Sequence, residues 1–316
     1  MIFTVLTIVT PVFALMGLGF LVARTRYLPE GTGKALAQFA FKIAIPAMLF
    51  RALLNTGAMD ASPLRLLAAY FIATACVWII ASLVAGVVLR RPAEDQAVIG
   101  MGSTFGNTVM LGIPIAITAF GPEATAPLAL LIAIETPLLW IIGTLHMEFA
   151  KQGRSLSLAS LGDVMKDLAT NTIILAMVLG LAGRAVGLKI PAVPDQILVL
   201  LGQAGVPTAL FALGMALASF RIGGETRTVG LLLILKLALL PALVYVMAAH
   251  ILALPPLWIA IAVLHAAMPV GANPFLFASQ HERSAATVSA AIVVSTLVAV
   301  VTVSGVLVVL LGMLGR

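Results

Sequence analysis

Apolar stretches of about 20 residues alternate with short polar connections along the whole chain, and that is the length a helix needs to cross a bilayer. The pattern predicts ten spanning helices, at 2–23, 34–54, 64–89, 96–120, 124–149, 168–188, 195–219, 228–252, 256–280 and 284–314. The longest polar connection runs from Lys151 to Asp167, and every other loop is short, so no soluble domain is expected. The fold class that follows is an all-α integral membrane protein.

The pattern also repeats. Ile45-Pro46-Ala47-Met48-Leu49-Phe50 in the first half corresponds to Val206-Pro207-Thr208-Ala209-Leu210-Phe211 in the second. Gly112-Ile113-Pro114 corresponds to Ala272-Asn273-Pro274, and one shift of about 160 positions aligns both landmarks. Residues 1–150 are therefore read as a first repeat of five helices, 151–167 as a cytoplasmic connecting loop, and 168–316 as a second repeat of five. An odd number of crossings makes the second repeat enter from the opposite side, so the repeats are expected to be inverted. Proline-interrupted segments at matching places in two such halves point to a transporter's binding site.

Composition sharpens the membrane assignment. Hydrophobic residues form 62% of the chain, charged residues 9%, and the mean hydropathy is +1.16. A soluble domain carries about a quarter charged residues. The net charge of +6 comes from 18 Lys and Arg scattered singly or in pairs. No basic patch suits nucleic acid, whereas short cytoplasmic loops explain the excess. With the N-terminus outside, Arg24, Arg26, Lys34, Arg90, Arg91, Lys151, Arg154, Lys166, Arg221, Arg227 and Arg283 face inward. Arg51, Arg65, Arg184, Lys189 and Arg316 face outward, eleven against five, so both termini are expected to be extracytoplasmic. The start of the chain does not read as a signal peptide, because its positive charges, Arg24 and Arg26, follow the apolar run. The single cysteine, Cys76, permits no intrachain disulfide and no cysteine metal cage.

Helix four holds Gly100, Gly102, Gly106, Asn107, Gly112 and Pro114; helix nine holds Met268, Pro269, Gly271, Asn273 and Pro274. Proline removes a backbone donor and clashes with the preceding turn, leaving carbonyls unpaired. Such backbone survives at membrane depth only against protein or a watery cavity. Helix breaks are expected around Pro46, Gly112, Pro207 and Gly271. Two broken helices crossing near the midplane would aim half-helix N-termini at one spot, suiting an anion that the Asn107 and Asn273 amides orient. Pro114, Pro269 and Pro274 flank that spot.

The stretches Gly106-Asn107-Thr108-Val109-Met110-Leu111-Gly112-Ile113-Pro114 and Ala267-Met268-Pro269-Val270-Gly271-Ala272-Asn273 resemble the fourth and ninth helices of the auxin efflux carrier family. That family includes plant auxin carriers and bacterial malonate- or malate-type permeases, and the resemblance covers essentially the full chain. It implies two inverted five-helix repeats, crossing helices four and nine, and substrate binding at Asn107, Pro114, Pro269 and Asn273. The short Lys151–Asp167 connection departs from the long hydrophilic loop of the plant carriers, so regulation through such a loop is not implied, and neither is auxin itself.

Ionisable groups within the apolar stretches need a partner, water or a task. Lys42 stands one turn before Pro46, and Gln203 holds the matching place before Pro207, which suggests a polar pocket beside the crossover. Glu135 could also pair with Lys42 or Lys236 as buried structure, or these lysines could reach toward the interface. His265, one turn before Pro269, is a candidate proton relay or simply a packed imidazole. Nucleotide, zinc and serine-hydrolase motifs are missing: Gly31-Thr32-Gly33-Lys34 lacks Walker spacing, and there is no His-Glu-x-x-His or Gly-x-Ser-x-Gly. No cofactor, metal or enzymatic activity is expected.

The sequence reading is a secondary transporter of small organic anions, mono- or dicarboxylates, driven by a gradient and working by alternating access in a plasma membrane, of the bacterial inner-membrane kind. Helices one, two, six and seven would form one body, and three, four, five, eight, nine and ten the other. Coupling to protons or to sodium stays open, and glycine-rich faces suit packing within one chain or in a homodimer. Two alternatives remain: a sodium-coupled bile-acid-type symporter, and a non-transporting membrane receptor on the same fold.

Overall fold

The computed structural model describes residues 2–55, 62–151, 170–220 and 223–315. Most of the connecting segment 151–167, with Arg154 and Lys166, lies outside these residues, as do Arg221 and Arg316. Twelve helical segments cover the rest: α1 (Ile2–Arg24), α2 (Thr32–Leu54), α3 (Pro63–Val88), α4 (Ala93–Thr104), α5 (Thr108–Phe120), α6 (Thr125–Ala150), α7 (Thr172–Ala185), α8 (Ala192–Leu217), α9 (Thr226–Ile251), α10 (Pro256–Ala266), α11 (Ala272–Gln280) and α12 (Ala285–Met313). Seven of them (α1, α2, α3, α6, α8, α9 and α12) are long and apolar enough to cross a membrane. Among the described residues there is no strand, only one isolated antiparallel bridge between Gly106 and Val270.

The expected helix ends agree with these to within a few residues, but the prolines act differently from the expectation. The helix runs through Pro207 without interruption inside α8. Pro46 also sits in a continuous helix, immediately after a wide π-type turn at Ala40–Ala44. A wider turn frees the carbonyl that the proline ring would otherwise strike, so the chain bends locally and continues. Pro114 likewise follows a π-type turn at Thr108–Gly112, which contains Gly112, and occupies the first turn of regular helix, where no donor is needed. The actual breaks lie at Phe105–Asn107, between α4 and α5, and at Ala267–Gly271, between α10 and α11.

The densest packing falls into two groups of helices, with α1 against α12 and α2 against α6 crossing between them. α1 and α8 pair closely, as do α2 and α7, and α8 lies against α2. Glycines make this possible: a Cβ on Gly19 would overlap the Phe211 carbonyl, and one on Gly214 the Met16 carbonyl. Without a hydrophobic drive between helices in lipid, such small-residue contacts are what let backbones approach and hold. The second group brings α3, α4 and α6 together with α9, α10 and α12, and α11 packs on α12. Tyr70, Lys236 and Phe277 are among its largest fully buried side chains.

Ion pairs tie each group at its ends. Arg51 grips Asp195 with two hydrogen bonds, 2.6 and 2.9 Å, joining α2 to the start of α8. In the second group Arg91 pairs with Glu225, Arg283 with Glu94 at 3.1 Å, and Lys151 with Glu148 at 3.6 Å. The polar contacts named here each lie within one group.

One turn occurs twice. After the π-type end of α3, the Leu89 N–H donates to the Val84 carbonyl and the Arg91 N–H to the Ala85 carbonyl, with Arg90 at φ 52°. After the π-type end of α9, Leu252 donates to Met247 and Leu254 to Ala248, with Ala253 at φ 44°. Each is followed by a proline, Pro92 or Pro255, that opens the next helix.

Candidate functional site

The two breaks meet. The Asn107 N–H donates to the Pro269 carbonyl at 2.7 Å, and the Gly271 N–H donates to the Phe105 carbonyl at 3.1 Å. Each interrupted backbone therefore satisfies polar groups of the other, as the hydrocarbon region requires. Glycine is what allows the approach, because a Cβ on Gly271 would lie 2.7 Å from the Gly106 carbonyl oxygen. The Val270 N–H in the same bridge donates to the Ser295 hydroxyl of α12 at 3.1 Å.

A cavity of about 300 Å³ opens against the meeting point. Phe105, Gly106, Asn107 and Thr108 line it from the first break, and Ala272 and Asn273 from the second. Val109 and Met110 of α5, Phe41 of α2, Ile132 and Thr136 of α6, and Asn171, Ile173 and Ile174 at the start of α7 form the rest of the wall. Three helix N-termini thus face one space: α5 at Asn107–Thr108, α11 at Ala272–Asn273 and α7 at Asn171. The Asn171 side chain caps α7 by accepting from the Ile173 and Ile174 N–H groups at 3.0 and 3.3 Å. Among the described residues none that lines the cavity carries a charge, so helix termini and amides are what face it directly.

Behind the first break lies a buried polar cluster. The Glu135 carboxylate of α6 accepts from the Tyr70 hydroxyl of α3 and, at 3.4 Å, from the Thr108 hydroxyl. The His265 Nε2 of α10 lies 3.2 Å from Glu135 Oε2. The Lys236 ammonium of α9 donates to the Ala266 carbonyl at 2.7 Å, at the open C-terminus of α10. There it meets the negative end of that helix and has Glu135 as ionic neighbour. Glu135 and His265 are each 1% exposed and Lys236 is 0% exposed. At the Lys151 end, outside the apolar segments, burial and then the Lys151 ammonium 3.4 Å away lower the His281 pKa below its usual value.

The residues singled out in the sequence divide accordingly. Asn107 and Asn273 line the cavity, the former buried and the latter half-buried. Pro114, Pro269 and Pro274 are buried around the meeting point without lining the cavity, as are Gly112 and Gly271. Gly112 packs the Met268 side chain, placing the second break against the turn that opens α5. Glu135, Lys236 and His265 come together. Lys42 does not join them: its side chain is exposed and lines no cavity described here. Gln203 lines a separate, larger cavity of about 790 Å³ beside Arg51, Asn55 and Trp258. Sequence reasoning missed Tyr70, Thr108, Thr136 and Asn171. Of these only Asn171 carries a local signal, an asparagine just before an apolar run, which marks a helix start.

This is the architecture of a membrane permease: apolar helices around a pair of interrupted segments that share a small, uncharged cavity. Residues 4–307 match the family model described as "Membrane transport protein", and the chain belongs to that family. Among curated relatives, a "Putative malonate transporter" of Rhizobium meliloti (strain 1021) is 28% identical, covering 95% of this chain and 94% of that one. "Auxin efflux carrier component 8" of Arabidopsis thaliana is 24% identical, covering 95% and 96%. The resemblance read from the motifs of helices four and nine therefore holds, and the chain is a membrane transport protein of that family.

Proposed function

We propose that the protein is a secondary active transporter of small organic anions, mono- or dicarboxylates, that binds its substrate in the cavity between Asn107 and Asn273. The observation that carries this reading is the convergence of three helix N-termini on a cavity that, among the described residues, has no charged lining residue. Partial positive charge and amide donors suit a carboxylate and leave a cation without a counter-charge. A cavity of about 300 Å³ is at the small end of ligand sites, which fits a compact acid. The relative named for malonate agrees with that size and charge.

The reading includes ten crossings arranged as two inverted five-helix repeats, residues 1–150 and 168–316 joined by 151–167. α4 with α5 and α10 with α11 each form one interrupted crossing, and α7 is a short one. The twice-used turn supports it: Arg91 to Leu254 and Arg90 to Ala253 are both 163 positions apart with the same hydrogen bonds. Alternating access follows as rocking of α1, α2, α7 and α8 against the remaining helices, with the cavity at their boundary. The plasma membrane, with both termini outside the cytoplasm, is the setting the charge distribution supports. The sodium-coupled alternative gains nothing here, since the Ala266 carbonyl freed at the break already accepts from Lys236.

The test is uptake and binding of malonate, malate and indole-3-acetate by purified protein in proteoliposomes. Asn107→Ala and Asn273→Ala should each weaken affinity for the transported acid about tenfold or more, the scale of a hydrogen bond to a charged group. Both variants should reach the membrane folded. Unchanged affinity in both would refute the site.

A further inference from the structure

Glu135, His265, Tyr70, Thr108 and Lys236 form a cluster that an anion site does not by itself require. We infer that the Glu135–His265 pair is a proton-binding site whose occupancy is linked to the anion in the adjacent cavity, making the protein a proton–anion symporter. The inference rests on the transport reading above.

Three observations carry it. First, the pair is sealed from bulk water yet touches the cavity through one residue. Thr108 lines the cavity, and its hydroxyl donates to Glu135 Oε2. A hydroxyl can accept a proton on one side and give one on the other, so it offers a single-step route. Second, the imidazole is unsatisfied. Neither His265 ring nitrogen has a hydrogen bond of good geometry, although Nε2 stands 3.2 Å from the carboxylate. A fully buried ring with both nitrogens open is costly, and a proton shared between Nε2 and Oε2 would remove part of that cost. Third, a carboxylate and an ammonium already share this buried cluster, so each proton added to the Glu135–His265 pair raises its charge by one.

Among the described residues, the hydrogen bonds and ion pairs of the cluster involve no ionisable group beyond Tyr70, Lys236 and the pair itself. α3 presents Tyr70, α5 Thr108, α9 Lys236 and α10 His265 itself. α12 supplies the Ser295 hydroxyl and contains no ionisable side chain. Added positive charge in this environment is unfavourable alone. A carboxylate in the cavity, one residue away beyond Thr108, is the counter-charge that makes it favourable. Proton and anion therefore promote each other's binding, and by linkage the effect is reciprocal. The balance is simple: a proton from the aqueous side facing the open cavity forms an N–H or O–H bond on the pair. It leaves to the opposite side with the substrate after the helix groups rock.

The decisive measurement is malonate uptake by proteoliposomes with the membrane potential clamped at zero and a pH-sensitive dye inside, against protein-free vesicles. One proton per anion gives a tenfold greater steady accumulation for each pH unit of inside-alkaline gradient, with acidification of the lumen as malonate enters. Glu135→Gln and His265→Gln should keep malonate exchange across the membrane while losing both the gradient response and the acidification. Should Glu135→Gln fail to reach the membrane, His265→Gln and the wild-type dye signal decide. Wild-type malonate uptake indifferent to the pH gradient, with no lumen acidification, overturns the symport while sparing the transport reading. No movement of malonate, malate or indole-3-acetate under any gradient overturns the transport reading and the symport with it.

Discussion

At the scale of single residues, glycine rather than proline sets the geometry of the site. Pro46 and Pro207 sit in continuous helix, because a wide turn absorbs the first and the helix passes through the second. Gly271 instead permits two backbones to touch and exchange hydrogen bonds, and the missing Cβ of Gly106 leaves room for the Lys236 side chain. Gly271→Ala places a methyl 2.7 Å from the Gly106 carbonyl oxygen, a distance that real Cβ atoms essentially never show, so the backbone at the bridge must shift. Transport by this variant should fall at least tenfold, while Gly305→Ala, with open space at its Cβ position, should transport as the wild type does. A flux assay normalised to protein in the membrane reads the difference. The buried charges were visible in the sequence as Glu135, Lys236 and His265, since each interrupts an apolar stretch. Their convergence was not visible, because they stand on α6, α9 and α10, and nothing in a hydropathy pattern says which faces of three helices meet. Tyr70 and Thr108 were hidden for a related reason: a tyrosine or threonine in an apolar run reads as ordinary packing until a carboxylate is found beside it.

At the scale of elements, the contact of α1 with α8 depends on the absence of two methyl groups. Gly19 faces the Phe211 carbonyl and Gly214 the Met16 carbonyl, so each helix presents a flat strip to the other. Gly19→Ala and Gly214→Ala should each lower stability by about 1–3 kcal/mol, the usual scale of overpacking. Thermal unfolding in detergent measures it, with Gly17→Ala as the comparison, since Gly17 has open space at its Cβ position and should unfold near the wild-type midpoint. The sequence made most helices legible, because a run of about 20 apolar residues has few alternatives in a membrane. It was less informative about where helices four and nine stop. Their expected spans, 96–120 and 256–280, each contain two segments, Ala93–Thr104 with Thr108–Phe120 and Pro256–Ala266 with Ala272–Gln280. The glycines and prolines flagged a disturbance somewhere in each span. Only the partner backbone across the bridge determines which three to five residues leave the helix.

At the scale of the whole molecule, the question is whether two similar turns face opposite sides of the membrane. Arg26 and Gly187 both have positive φ, and both turns close in the same way, Tyr27 N–H donating to the Val22 carbonyl and Leu188 N–H to the Gly183 carbonyl. If the halves are inverted repeats, these equivalent turns stand at opposite surfaces, the first inside and the second outside. The two turns carry equal positive charge, Arg24 and Arg26 against Arg184 and Lys189, so the charge argument for this orientation rests on the count over all loops. Tyr27 and Leu188 are both exposed, so single cysteines there report the answer in a Cys76→Ser background. A membrane-impermeant maleimide added to intact cells should label Leu188→Cys and spare Tyr27→Cys until the membrane is opened. The same labelling on both positions would mean an even number of crossings between them. That would break the inverted arrangement, and α5 and α11 could then no longer enter the cavity from opposite sides with their N-termini meeting at one anion.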